Sequence, residues 1–272
     1  MAFVEHDGAR IHWSTLGKGE PLVLIMGLGC TSAMWFRLAP RLAKRHRVIL
    51  LDNRGVGQTE VRHFVVHRVS TMAADVAAVL DAAGEASAHV LGLSMGGMIA
   101  QQFAIDFSDR VRTLTLMATN CGGAHAVLPE RHVWQLLFSK GEKSPEDNLA
   151  AMRPYTYASA TPDDVIEQDN LVRLADYPTQ RGYQAQLYGL MGWTSYYKLP
   201  RLRCPALLLH GAQDRLIPPD NARILAERIA GAALVQIEGA SHWLHSDQTV
   251  RIADEVQAFI GQRRQGAAEA AT

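Results

Sequence analysis

Ser94 is the residue best placed by its surroundings to do chemistry. It sits in Gly92-Leu93-Ser94-Met95-Gly96, a G-x-S-x-G pentapeptide between an apolar run at 89–91 and a helix-like run at 98–104. A strand that turns sharply into a helix exposes the residue at the bend, and glycines on either side let the two elements pack around it. The hydroxyl then stands beside a helix N-terminus, which favours negative charge. With 22 glycines in 272 residues, the pentapeptide alone arises by chance about 0.1 times per chain, so its context carries the weight.

A serine hydroxyl is a poor nucleophile at neutral pH. It needs a base within hydrogen-bond reach, and the base needs an orienting carboxylate. Asp214 closes the stretch His210-Gly211-Ala212-Gln213-Asp214, and His242 closes Glu238-Gly239-Ala240-Ser241-His242. Each follows an apolar run of strand length. The order Ser94, Asp214, His242 is the one expected for a nucleophile on a strand–turn–helix bend. Such a set performs acyl transfer.

Other residues compete for these roles. His210 ends a strand, and His245 falls three residues past His242, where packing inside the next segment is expected. Asp220 follows Pro218-Pro219 and belongs to a helix start. Acyl transfer also needs donors for the developing oxyanion, each worth about 2.7–4 kcal/mol of barrier. The Met95 N–H, directly after the serine, is one. The second is expected from Gly27-Leu28-Gly29, where flanking glycines let the Leu28 N–H approach a substrate closely. Trp35, Trp193, Leu216 and Trp243 are the candidate pocket residues. This apolar set suits a small or medium acyl or aryl ester as the small-molecule substrate.

The elements that must hold these groups alternate. Runs at 3–6 and 9–13 flank Asp7-Gly8, a two-residue hairpin turn. Continuous apolar runs at 22–26, 48–51, 90–93, 111–117, 206–209 and 234–237 have the character of strands covered on both faces. Helices are expected at 70–83, 98–104, 218–229 and 247–260. This alternation predicts an α/β fold with a mainly parallel, doubly wound sheet. The rhythm breaks at 120–200, where helical patches at 129–139, 161–174 and 179–191 replace strands. Most of the chain's Trp and Tyr residues lie there, as expected of a lid lining a substrate cavity. The expected organisation is a core at 1–119 and 201–262, a helical cap at 120–200 and a frayed tail at 263–272.

Composition excludes several classes. Lys+Arg and Asp+Glu are both 27, and nucleic-acid binders usually carry a basic excess. No run is long and apolar enough for a membrane span, and no signal peptide is visible. Three cysteines (Cys30, Cys121 and Cys204) suggest reduced thiols and a cytoplasmic location. No CxxC or HExxH points to a metal site. The oligomeric state stays open between monomer and homodimer.

Taken together, Gly27-Leu28-Gly29, Asp52-Asn53-Arg54-Gly55-Val56-Gly57, Gly92–Gly96, Gly211–Asp214 and Gly239–His242 resemble the α/β-hydrolase-fold superfamily over nearly the whole chain. The pattern is similar to the branch of small carboxylesterases, 3-oxoadipate enol-lactonases and meta-cleavage C–C hydrolases. The resemblance implies an eight-stranded sheet, a helical cap and catalysis without a cofactor. It leaves ester, lactone and C–C bonds open as targets, with a small-molecule receptor of the same fold as a further alternative. Ser94 sets the chain apart from the haloalkane dehalogenases and epoxide hydrolases of this fold, which carry Asp at the bend. Two positions depart from the usual pattern. Met26 precedes Gly27 where His is common, and Thr59 ends the loop where Ser is common.

Overall fold

The computed structural model describes residues 2–63, 65–139 and 143–270. Strand β1 (Ala2–His6) pairs antiparallel with β2 (Ala9–Leu16) through the Asp7-Gly8 turn, where both residues take positive φ. β3 (Glu20–Ile25) follows, then the short helix α1 (Ala39–Leu42) and β4 (His46–Leu51). A two-residue strand β5 (Glu60–Val61) precedes α2 (Val69–Ala82). β6 (Ala88–Leu93) runs into α3 (Met95–Asp106), and β7 (Val111–Met117) completes the first half.

Among the described residues, four α-helices come between β7 and the next strand: α4 (Arg131–Phe138), α5 (Pro145–Thr156), α6 (Asp163–Ala175) and α7 (Gln180–Leu190). The alternation then resumes with β8 (Ala206–Gly211), α8 (Asp220–Arg228), β9 (Ala233–Ile237), α9 (Leu244–Asp247) and α10 (Thr249–Ala270). Among the described residues no helix is long and apolar enough to cross a membrane.

The strand order is β1-β2-β4-β3-β6-β7-β8-β9, with β5 paired to β2. The strands along the path from β4 to β9 pair in parallel, and β2 is antiparallel to β4. The small strand β5 brings the sheet to nine strands where eight are expected. Successive side chains point to opposite faces of a strand, and the core divides accordingly. Val23 and Ile25 pack with Val76, Ile99 and Phe103 from α2 and α3. Leu22 and Leu24 pack with Ile252, Val256 and Phe259 from α10 on the other face.

Two elements differ from expectation. The sequence patches omit α5, although Ser144 caps it by accepting from the Asp147 N–H (3.1 Å) and Pro145 opens it. The apolar pattern is weak there, so the cap was the legible signal. The last helix extends to Ala270, so the segment 263–270 is helical where a frayed tail is expected. Residues 271 and 272 lie outside the described residues.

Arg54 fixes the loop after β4. Its guanidinium is buried against the Asp75 carboxylate (2.6 and 2.8 Å) and also donates to the His6 and Asp7 carbonyls. Asp52 accepts from Ser32 N–H and Oγ and from the Gln58 N–H, tying two loops at the same sheet edge. Thus the turns that follow β3 and β4 are held rigidly where the parallel strands end.

Candidate active site

Parallel strands deliver their following loops to one edge of the sheet, which is where sites form in open α/β folds. The loops after β3, β6, β8 and β9 carry Leu28, Ser94, Asp214 and His242. Ser94 is the bend between β6 and α3, with φ 56 and ψ −118. A non-glycine residue in such a conformation is strained and persists only where its surroundings hold it. The restraints are the Ser94 N–H donating to Met117 O (2.9 Å) and Thr119 Oγ1 donating to Ser94 O (2.7 Å). The pentapeptide glycines have a steric cause. A Cβ on Gly92 would overlap the Gly96 carbonyl, and one on Gly96 would overlap the Ile25 carbonyl.

His242 Nδ1 and Asp214 Oδ2 are 2.9 Å apart, and both side chains are buried. The other carboxylate oxygen of Asp214 accepts from the Leu216 and Ile217 N–H groups (2.9 and 2.8 Å). Burial alone would push this carboxyl up. A positive charge on His242, then hydrogen bonds from His210 and His242, outweigh burial and hold it down to about 2. The ionised carboxylate only accepts, so Nδ1 of His242 carries a proton. In the neutral ring the remaining nitrogen, Nε2, bears the lone pair on the opposite side.

Ser94 and His242 line one cavity of about 310 Å³ together with Leu28, Met95, Leu216 and Trp243. No hydrogen bond joins Ser94 to His242 among the described residues. Bonds of this kind are commonly loose until substrate enters. The Met95 N–H is among the first of α3, which have no partner within a helix. Among the described residues the Leu28 N–H likewise has no backbone acceptor, whereas the next two N–H groups are engaged: Gly29 N–H donates to Gln186 Oε1 (2.8 Å) and Cys30 N–H to Gly27 O (3.3 Å). Gly27 lies against Ser94, since a Cβ there would sit 3.2 Å from the serine Cβ.

Two of the expected pocket residues lie elsewhere. Trp35 is wholly buried in the core, with its ring 5.2 Å from that of His245. Trp193 lies against Gly122, and its Nε1 donates to Gln102 Oε1 (2.8 Å). Both indoles are used for packing, which a list of aromatic positions does not reveal. Of the expected decoys, Asp220 is exposed and pairs with Arg223, and His245 is fully buried between Trp35 and Trp243. Of the aromatic residues expected to line the lid, Trp134, Tyr177 and Tyr183 reach the cavity, while Tyr196 stacks on His125 (3.7 Å between centroids).

Arg173 and Gln186 escape the sequence reading, and His210, considered there only as a competitor, has a contact that it does not disclose. Among the described residues, Arg173 of α6 is the cavity's one permanently charged side chain, and its guanidinium lies 4.5 Å from the Trp243 ring centroid. No carboxylate pairs with it among the described residues. His210 Nε2 contacts Ile217 O (2.8 Å) and Asp214 Oδ2 (3.3 Å), behind the carboxylate. Gln186 of α7 is completely buried against the loop that holds Leu28. A charge or an amide on one of these inserted helices has no local sequence mark separating it from a surface residue. Among the described residues, no three His, Cys, Asp or Glu side chains are grouped to hold a metal ion.

A family model described as alpha/beta hydrolase fold matches residues 20–155 and 167–249. The chain is 30% identical to a poly(3-hydroxyalkanoate) depolymerase of Ectopseudomonas oleovorans, over 91% of this chain and 86% of that one. It is 29% identical to a 2-hydroxy-6-oxononadienedioate/2-hydroxy-6-oxononatrienedioate hydrolase of Burkholderia vietnamiensis, over 94% and 93%. A thermophilic esterase of Thermogutta terrifontis superposes with a TM-score of 0.82 at 27% identity, covering 94% of both chains.

Proposed function

We propose, from the premise that this chain belongs to the alpha/beta hydrolase fold family, that it is a serine hydrolase cleaving carboxylic esters. Hydrolysis is the coarser activity that the family and the relatives named above support; the ester bond and the residue roles are our reading. Ser94 Oγ loses its proton to His242 Nε2 as it attacks the carbonyl carbon. Asp214 keeps the ring aligned and stabilises its charged form. The Leu28 and Met95 N–H groups receive the oxyanion. His242 then protonates the leaving alkoxide, and the acyl-enzyme is released by a water that His242 activates. The helices α4–α7 act as a cap that shields this reaction from bulk water.

The observation that carries this reading is the buried His242–Asp214 pair at 2.9 Å beside a cavity that also contains the strained Ser94. The test is labelling with a fluorophosphonate probe and mapping the modified residue, together with turnover of a chromogenic short-chain ester by Ser94→Ala. Label on Ser94 and a loss of at least about a thousandfold are expected. Full turnover by the variant refutes the reading.

Arg173 favours a second reading of the bond and substrate. A cavity-lining guanidinium without a carboxylate partner among the described residues suits recognition of a substrate carboxylate. Enol-lactones and vinylogous diketones that carry an acid group would place it there while their reactive carbonyl faces Ser94. Matched neutral and carboxylate-bearing substrates separate the readings, because only the second predicts a preference for the anion.

A further inference from the structure

Gln186 links the cap to the candidate oxyanion loop through both ends of its amide. The Gly29 N–H donates to Oε1 (2.8 Å), and Nε2 donates to Arg54 O (2.7 Å). These partners lie 157 and 132 residues away in the chain. The side chain is wholly buried. Each amide atom meets the backbone group it requires: an acceptor faces the N–H and a donor faces the carbonyl.

The seat of this amide is fixed on both sides. Gly182, Gln186 and Gly189 recur at spacings of four and three, so they share one face of α7. That face lies directly on core backbone. A Cβ on Gly182 would overlap the Gly55 carbonyl, and one on Gly189 would overlap the His67 carbonyl. The His67 N–H also donates to Ala185 O (3.0 Å). On the far side, Arg54 is immobilised by its bonds to Asp75 and to the His6 and Asp7 carbonyls. The Gly29 peptide is therefore attached to a rigid post rather than to a mobile side chain.

We propose that Gln186 is a positioning residue that sets the Leu28 N–H as an oxyanion donor and makes its alignment depend on the seating of the cap. Gln186 occupies the Gly29 N–H, whereas the Leu28 N–H, on a residue that lines the cavity, has no acceptor among the described residues. The Gly27 carbonyl, accepting from Cys30 N–H, fixes the other end of this short turn. Releasing the clamp lets the turn rotate. A donor displaced by about 1 Å can cost about 10²-fold in rate, and complete loss of one costs about 10²–10³-fold in kcat. Nothing in this clamp touches the substrate's ground state, so its effect falls on kcat rather than KM.

This inference rests on Ser94 being the nucleophile. The experiment compares Gln186→Met with the parent, reading kcat, KM, melting temperature and the affinity of an alkylboronic acid. A boronic acid forms a tetrahedral adduct on the serine and so reports on the oxyanion donors. Methionine fills a similar volume and cannot bridge the two backbone groups. The expected result is a kcat lowered by about 10–100-fold, KM within about threefold, and boronate affinity falling in parallel with kcat/KM. A folded variant whose kcat and boronate affinity stay within about threefold of the parent overturns the proposal.

Gln186→Glu is the second variant, and it decides if the methionine form does not fold. A protonated carboxyl can accept from Gly29 and donate to Arg54 O, and burial favours that form. Its kcat is expected near the parent at mildly acid pH and to fall away from the parent as pH rises. A kcat still equal to the parent's at a pH where infrared spectroscopy shows the introduced carboxyl to be ionised overturns the proposal. If Ser94→Ala keeps full turnover, the nucleophile assignment has failed. If that variant is inactive while Gln186→Met behaves as the parent, only the clamp has failed.

Discussion

Replacing Asp214 by Asn should silence the site through the tautomer of His242, and the structure fixes which way the new amide turns. On one side of the carboxylate, Oδ1 accepts two backbone N–H groups, from Leu216 and Ile217. On the other, Oδ2 faces His242 Nδ1 at 2.9 Å and His210 Nε2 at 3.3 Å. The backbone donors cannot change. Turning an NH₂ toward them loses two hydrogen bonds, about 1 kcal/mol each, and leaves buried donors unpaired. His242 can change by moving its proton, and His210 keeps its bond to Ile217 O (2.8 Å). The amide oxygen therefore stays toward Leu216 and Ile217, and the NH₂ points at His242. The ring answers with a bare Nδ1 and a protonated Nε2, which cannot accept the serine proton.

Two costs combine in that variant. Restoring the active tautomer opposes two donors or sacrifices the backbone bonds, at about 2–3 kcal/mol. The imidazolium also loses an anion whose attraction is about 4 kcal/mol for charges some 4 Å apart at an effective dielectric of about 20. These overlap, and the sum is consistent with the roughly 10⁴-fold loss, about 5.5 kcal/mol, known for this exchange in serine proteases. The assay is kcat on a chromogenic ester at neutral pH, with melting temperature as the control for folding. The carboxyl's low value of about 2 adds a pH signature. Its stabilising effect is present above the unfolded value of about 3.9 and lost as pH falls toward 2. The Asp214→Asn variant should lack that window. A folded variant with kcat within tenfold of the parent refutes the assignment.

Other changes act on separate parts of the machine. Gly96→Ala drives a Cβ into the Ile25 carbonyl and should destabilise by about 3 kcal/mol or more, read as denaturant midpoint; a change under about 0.5 kcal/mol would contradict the packing argument. Arg173→Gln should lower kcat/KM for a carboxylate-bearing substrate by about tenfold or more while sparing its neutral ester counterpart; equal effects on both would remove the anion-recognition role. His245 is held neutral, down to about 3, chiefly by burial and then by charge on His242 and Arg37. Stability is intact above the unfolded value of about 6.5 and is lost as pH falls toward 3, because only the unfolded state binds the proton. His245→Leu should remove about 1.4 kcal/mol per pH unit from that acid slope, measured by denaturant melts across the window; an unchanged slope would show that other groups carry it.

What the sequence disclosed and what it hid divide by the distance over which each signal acts. The bend at Ser94 was legible because its requirement is local: residues 92–96 contain the strained turn, and both glycines are demanded by backbone within reach. Asp214 and His242 were legible because a parallel strand announces itself as a short apolar run, and its C-terminal loop goes to a known edge of the sheet. The antiparallel hairpin was legible for the same reason, through a two-residue turn. Trp35 and Trp193 misled because aromatic character shows only that a side chain will be covered. It does not show whether the cover is core, as for Trp35, or a neighbouring amide, as for Trp193. Arg173 and Gln186 were hidden for the converse reason. Each sits in an inserted helix, α6 or α7, and each meets its contacts, the Trp243 ring for Arg173 and the Gly29 and Arg54 backbone for Gln186, only in the folded chain. Gln186 finds Gly29 and Arg54 at separations of 157 and 132 residues, beyond any periodicity. On the proposed reading, the residues that make and break bonds lie in short core loops, while those that would select the substrate and tune the oxyanion donors act through long-range contacts. Substitutions in the cap should accordingly change which acyl group is taken, or how well the oxyanion is held, without altering the bond-making order of Ser94, His242 and Asp214.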